Sequence, residues 1–159
     1  MGVEIERKFL VVGESWRSHA IGRGYRQGYI QTTGLTTVRI RTVGDQGFIT
    51  IKGPTQGISR PEFEYPIPVA DAEEMLDTLC DRPLIEKTRY VVEENGLKWE
   101  IDEFHGENQG LILAEVELTD AAQVIRKPDW LGDEVSGDSR YFNSNLAQMP
   151  FTHWLESEA

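Results

Sequence analysis

Residues 3–9 read Val3-Glu4-Ile5-Glu6-Arg7-Lys8-Phe9, and a charged side chain occupies every second position from Glu4. Successive side chains of a β-strand point to opposite faces, so Glu4, Glu6 and Lys8 share one face. Apolar side chains occupy most of the other face. Two carboxylates and an ammonium group in one row suit a metal ion next to an anionic ligand. The stretch therefore predicts a strand with one charged face. A single face of this kind is usually only solvated, and it indicates a binding site here because the pattern recurs.

The same two-residue spacing of charge recurs along the chain, and each later stretch carries one sign of charge opposite a mostly apolar face. A sheet with one face in solvent would explain any single stretch of this kind. Like charges two residues apart repel modestly, however, so whole faces of one sign are better explained by opposite charge lying between them. The anionic pairs are Glu62 with Glu64, Glu100 with Asp102, and Glu115 with Glu117, and the cationic positions are Arg39 with Arg41, Lys52, and Lys87 with Arg89.

Turn signals separate these stretches into about eight strands. Residues 44–47 and the Asn95-Gly96 pair are typical of tight hairpins. A helix is predicted over residues 71–80, with Asp71 as N-cap and Glu74 completing a capping box, and a shorter helix over residues 139–149. We therefore expect a single α+β domain over residues 1–159, built on an antiparallel β-barrel whose lumen holds the charges.

Composition and charge narrow the functional classes. The 159-residue chain has a formal net charge of −11, which argues against a nucleic-acid partner bound through a broad basic surface. No apolar run approaches the length of a membrane helix, so no membrane partner is expected. Cys80 is the only cysteine and cannot form an internal disulfide, which favours a cytoplasmic location.

The cationic positions suggest the chemistry of the ligand. They gather too much positive charge for one carboxylate and suit a chain of phosphates, since both lysine and arginine contact phosphate oxygens. Carboxylates are hard oxygen ligands, so Mg²⁺ or Mn²⁺ is expected rather than zinc, for which the sequence has no Cys/His cluster. The predicted phosphate-binding residues are Lys8, Arg39, Arg41, Lys52, Lys87 and Arg89.

Taken together, these motifs resemble the CYTH superfamily, also called triphosphate tunnel metalloenzymes, along essentially the whole chain. The N-terminal Glu4-x-Glu6-x-Lys8 pattern is weak alone but specific when every later charged pair follows in order. The motifs that carry the resemblance are Tyr25-Arg-Gln-Gly-Tyr-Ile, Arg39-x-Arg41, Lys52-Gly, Arg60-x-Glu62-x-Glu64, Lys87-x-Arg89-Tyr, Trp99-Glu-Ile-Asp102, Ala114-Glu-Val-Glu117 and the stretch from Trp130 to Tyr141.

The resemblance implies an eight-stranded antiparallel tunnel that binds a triphosphate with divalent metal, most similar to the inorganic tripolyphosphatase branch. It implies metal ligands among Glu4, Glu6, Asp102, Glu115 and Glu117. Glu62 and Glu64 would complete the metal sites or serve as general base, and with Lys87 they are the candidate catalytic residues. The helix after Ser139 would lie near one tunnel mouth and plug it.

Two other functions stay open at this stage. A class IV-type adenylate cyclase would use the same tunnel but attack with the ribose 3′-hydroxyl of ATP, and a binding module would hold triphosphate or polyphosphate without reaction. The chain is short and has no obvious insert for recognising a base, which favours hydrolysis. Apolar outer faces of strands need cover, so a homodimer is also considered.

Overall fold

The computed structural model describes residues 2–154 of the chain. Within these residues it has nine β-strands, two α-helices and four short 3₁₀ turns. None of these helices is long and apolar enough to cross a membrane. The strands and helices are β1 (Gly2–Val11), β2 (Ile21–Ile30), β3 (Thr37–Val43), β4 (Gln46–Lys52), β5 (Ser59–Ile67), α1 (Val69–Thr78), β6 (Ile85–Glu94), β7 (Leu97–Phe104), β8 (Ile112–Glu117), β9 (Leu131–Glu134) and α2 (Asn143–Gln148).

Eight of the strands close into an antiparallel barrel. The order around the ring is β5, β4, β3, β2, β6, β7, β8 and β1, and β1 pairs again with β5 to complete the circle. β1 closes the barrel with its first half only, through pairs from Gly2 with Glu62 to Ile5 with Ser59. Its last residues pair instead with β9. The predicted eight-stranded barrel is confirmed, whereas β9 was not predicted.

The two-residue alternation sorts side chains between the lumen and the outside of the barrel. Glu4, Glu6 and Lys8 of β1 line the lumen, while Phe9 is buried in an apolar cluster on the outer side. In this cluster the ring of Trp99 meets those of Phe9 and Trp130 edge-on, at centroid distances of 6.0 and 5.4 Å. The main hydrophobic core therefore lies around the barrel, which leaves its interior for charged groups.

Helix α1 covers the outer face of β3 and β4, where Ala72 and Leu76 pack against Ile40. The predicted capping box is wrong. The helix begins at Val69 directly after Pro68, and no side chain caps its first turn. Asp71 lies inside that turn because the fixed φ of proline already favours a helix start there.

One end of the lumen is filled by apolar side chains, and α2 packs against them. Leu146 of α2 and Tyr141 just before it are buried together with Ile85, Phe104 and Leu113 of the strands. The predicted C-terminal helix therefore does plug one end of the barrel. It is shorter than expected, because residues 139–141 form a 3₁₀ turn before α2 begins at Asn143.

Candidate functional site

The lumen contains a cavity of about 320 Å³ lined mostly by charged side chains. Twelve of the thirteen predicted site residues line this cavity, and only Asp102 does not. Eight of the chain's sixteen lysines and arginines line the cavity. The barrel therefore gathers half of the basic residues inside a protein whose net charge is strongly negative, together with seven glutamates.

Lys52 links two carboxylates where β1, β4 and β5 meet. Its Nζ donates to both carboxylate oxygens of Glu4, at 3.0 and 2.7 Å, and lies 3.4 Å from Glu62. Burial and a hydrogen bond with Glu4 raise the pKa of Glu62 to about 7. The pKa of Glu4 is lowered: burial acts against this shift, but the bond from Glu62 and the charge of Lys52 outweigh it. Glu62 thus holds the proton of this pair and Glu4 the negative charge.

Arg39 and Arg41 of β3 share one carboxylate of β5. Their Nη2 atoms donate to Glu64 Oε2 at 3.3 and 3.2 Å, and Thr50 Oγ1 donates to the same oxygen at 2.7 Å. Burial raises the pKa of Glu64, but Thr50 and Arg41 outweigh it and hold the pKa below its usual value. Glu64 is therefore an anion that aligns two guanidinium groups, each of which has further donors for an anionic ligand.

Asp102 lies beneath the cavity and pairs with two cations. Its carboxylate accepts from Lys87 Nζ at 2.8 Å and from Arg89 Nε and Nη2 at 2.7 and 2.9 Å. The residue is 0% exposed. Burial alone would raise the pKa of Asp102, but Arg89 and Lys87 hold it well below the usual range. This placement suits Asp102 to act as a counter-ion that fixes the side chains of Lys87 and Arg89, rather than as a metal ligand.

Lys87 and Lys8 differ in the balance of charge around them. Burial and the neighbouring Arg89 lower the pKa of Lys87 to about 7. Lys8 is also buried, which lowers its pKa, but Glu115 at 3.4 Å and Glu6 raise it above its usual value. Lys8 therefore carries a firm positive charge, whereas Lys87 can lose its proton near neutral pH.

A group of carboxylates from β1, β5 and β8 crowds another part of the cavity. Glu6 and Glu117 are cross-strand partners. The pKa of Glu6 is raised to about 8, first by burial and then by the charges of Glu115 and Glu4. The pKa of Glu117 is also raised, by burial and by the charge of Glu4. Such repulsion between hard oxygen ligands is what a divalent cation relieves, so these residues fit one. Among residues 2–154, no three Asp, Glu, His or Cys side chains already stand close enough to hold a metal ion.

The cavity also includes residues that the sequence analysis did not assign. Arg60 and Lys98 line it, and each had a signal, because Arg60 shares a strand face with Glu62 and Lys98 with Glu100. Arg60 donates from Nε to the Gly53 carbonyl at 3.1 Å. Asn143 of α2 also lines the cavity, and no spacing in the sequence indicated it.

Comparison with known proteins agrees with this geometry. The CYTH domain model matches residues 2–148. A relative from Acetivibrio thermocellus named inorganic triphosphatase is 52% identical over 156 residues, covering 98% of this chain and 100% of its own. One of the same name from Nitrosomonas europaea is 42% identical over 91% of this chain and 96% of its own. A crystal structure of an inorganic triphosphatase superposes with a TM-score of 0.66 at 37% identity, covering 90% of this chain and 96% of the other.

Proposed function

Because the chain belongs to the CYTH domain family, we propose that it hydrolyses inorganic triphosphate to pyrophosphate and orthophosphate inside the barrel. The observation that carries the proposal is the lumen itself, where six predicted phosphate-binding cations from four strands line one cavity beside a group of carboxylates. Near-full-length similarity to relatives named inorganic triphosphatase supports the same substrate.

The cations would bind and orient the phosphate chain. Arg39 and Arg41 present guanidinium groups already aligned by Glu64, and such groups bind phosphate oxygens through paired hydrogen bonds. Lys8 and Arg89 offer further positive charge in the same cavity. Charges fixed in place before the substrate arrives stabilise the negative charge that builds up on the transferring phosphoryl and leaving groups.

We also propose that the enzyme uses a divalent cation, Mg²⁺ or Mn²⁺, held by Glu4, Glu6 and Glu117, with Glu115 and Glu62 close by. The raised pKa values of Glu6, Glu62 and Glu117 support this, since burial raises each of them and neighbouring carboxylates raise them further. When bound, such an ion neutralises phosphate oxygens and makes a coordinated water more acidic. The protein's own part is to keep these oxygens in one region of the cavity.

The sequence predicted Glu62 or Glu64 as general base, and we propose Lys87, the third candidate catalytic residue, for this role instead. A base works best when its pKa lies near the working pH, and the pKa of Lys87 is about 7. Glu64 is a poor base, because Thr50, Arg39 and Arg41 already donate to it. Glu62 also has a pKa of about 7, but its proton is shared with Glu4, beside the proposed metal ligands.

The test is phosphate release from tripolyphosphate and from ATP with Mg²⁺ or Mn²⁺, with an EDTA control and a parallel assay for cyclic AMP. We expect metal-dependent release from tripolyphosphate that is lost in Glu6→Gln. Glu73→Gln, on the exposed side of α1, is the matched control and should retain the activity. Cyclic AMP without orthophosphate would show a cyclase instead, and saturable tripolyphosphate binding without product would show a binding module.

A further inference from the structure

The residues that lead into α2 contact both lysines at the closed end of the cavity. Lys8 Nζ donates to the backbone carbonyl of Tyr141 at 3.1 Å and lies 5.7 Å from the ring centroid of Phe142. Lys87 Nζ donates to Asn143 Oδ1 at 3.4 Å. Three consecutive residues of the plug thus touch two of the six predicted phosphate-binding cations.

The hydrogen bonds of Lys87 use two of the three positions on its nitrogen, and the ring centroids of Tyr25 and Phe104 lie 5.8 and 5.7 Å away. A lysine nitrogen has three positions for protons or a lone pair in addition to its bond to Cε. Asp102 Oδ2 at 2.8 Å takes one position and Asn143 Oδ1 at 3.4 Å takes a second. Because Lys87 lines the cavity, the third position is the one left for a substrate or a water molecule there.

Asn143 is itself held from the opposite side. Gln27 Nε2 donates to Asn143 Oδ1 at 3.2 Å and to the Tyr29 hydroxyl at 3.4 Å. Gln27 is 0% exposed, so this bond lies in the interior, where hydrogen bonds are strong and geometry is fixed. An amide oxygen is a neutral acceptor, which holds the lysine without adding negative charge next to an anionic substrate.

We propose that Asn143 is a positioning residue that sets the direction of the Lys87 amine toward the substrate, so that the first residue of α2 serves the site while the rest of the helix closes the barrel. The proposal rests on the proposed function, in which Lys87 contacts the reacting groups. It adds a residue from α2 to a set of predicted site residues that all lie on strands.

The test compares kcat and KM for tripolyphosphate in three variants. Asn143→Ala removes the acceptor, and we expect kcat to fall about 10-fold or more with KM within about twofold, since a hydrogen bond to a charged group is lost near the reacting atoms. Asn143→Asp keeps an acceptor in the same place and should restore most of kcat, with a higher KM from its added charge. The matched control is Asn145→Ala, two residues further along α2. It removes a hydrogen bond to the Ser139 carbonyl and should leave kcat unchanged.

Several results would overturn the proposal. These are an unchanged kcat in Asn143→Ala, an equal loss in Asn145→Ala, and no recovery in Asn143→Asp. If Asn143→Ala does not fold, Gln27→Met, which removes the donor that holds Asn143, should lower kcat in the same way, and an unchanged kcat would refute the idea.

An inactive wild type would refute the proposed function but not the positioning of Lys87. NMR of protein labelled with ¹³C at lysine Cε separates the two. The Lys87 signal should shift in Asn143→Asp relative to wild type and stay in place in Asn145→Ala. A Lys87 signal that does not respond to the Asn143 substitution would overturn the positioning proposal without reference to activity.

Discussion

Replacing Asp102 with asparagine should destabilise the folded protein strongly. The carboxylate receives three hydrogen bonds from two cations and is 0% exposed. Removing one partner of a buried ion pair costs about 3–5 kcal/mol, because the remaining charge stays buried without compensation. Asparagine keeps one acceptor oxygen, and Arg89 keeps its ion pair with Glu100 at 3.1 Å. We therefore expect a loss of unfolding free energy at the lower end of this range, about 3 kcal/mol. For a chain of this length that corresponds to a decrease in Tm of about 6–12 °C.

Thermal and urea unfolding of the metal-free protein measure this effect. The matched control is Glu103→Gln, one residue along on the opposite face of β7. Glu103 forms two 3.0 Å hydrogen bonds with Arg17, but both side chains are 30% exposed. Exposed pairs of this kind contribute at most about 1 kcal/mol. An unchanged or higher Tm in Asp102→Asn, or equal losses in both variants, would refute the reasoning about buried charge.

The pH dependence of the same variant has a definite sign. The pKa of Asp102 lies well below its ordinary value of 3.8, so its stabilising contribution is complete above that value and is lost as the pH falls below it. The difference in unfolding free energy between wild type and Asp102→Asn should therefore narrow progressively as the pH is lowered below about 3.8. A difference that widens on acidification would contradict the assigned direction.

Three further perturbations test other parts of the site and the fold. The pKa of Glu6 is about 8 in the folded chain against an ordinary 4.5, so the folded state holds a proton that the unfolded state has lost. The urea midpoint of the metal-free protein should therefore fall as the pH rises across that interval, and the fall should be smaller in Glu6→Gln. Leu146→Ala empties a fully buried position in the plug and should cost about 2–5 kcal/mol in urea unfolding. Arg41→Lys removes a guanidinium aligned by Glu64 and should raise KM for tripolyphosphate about 10-fold, with little change in kcat, in steady-state assays.

A specific result would contradict each of these three expectations. A pH dependence as steep in Glu6→Gln as in wild type would remove Glu6 as its source, while Glu73→Gln should leave the wild-type dependence intact. A loss below about 1 kcal/mol in Leu146→Ala would mean that the closed end repacks or is loosely held. A fall in kcat without a rise in KM in Arg41→Lys would place Arg41 at the transition state rather than in binding.

The alternation of side chains along the strands predicted the barrel, because one face of each strand is charged and lines the lumen while the other is mostly apolar and packs outside it. Charged positions spaced by two had to share a face, and closure of the sheet brought faces from different strands into one lumen. β9 escaped prediction because Gly132 and Asp133 are poor strand formers. Its pairing with the end of β1 is decided by tertiary structure.

The depth of a side chain and the contribution of a docked helix were harder to predict. Spacing places Glu100 and Asp102 on one face but does not show that Asp102 lies beneath the cavity. Asn143 reaches the site only because α2 packs across the end of the barrel. The homodimer, the cytoplasmic location, the single domain and the absence of nucleic-acid or membrane partners remain predictions, since the fold of one chain does not test them.

The gathering of half the basic residues inside the barrel has a kinetic consequence. With a net charge of −11, the remainder of the protein presents an acidic exterior to the solvent. A polyanion arriving from bulk water therefore meets repulsion at long range before it meets attraction within the lumen. Dissolved salt screens the long-range repulsion from the acidic exterior over a Debye length of about 8–10 Å. It also weakens the attraction within the lumen. We therefore expect encounter to become faster, and retention in the lumen weaker, as the ionic strength rises.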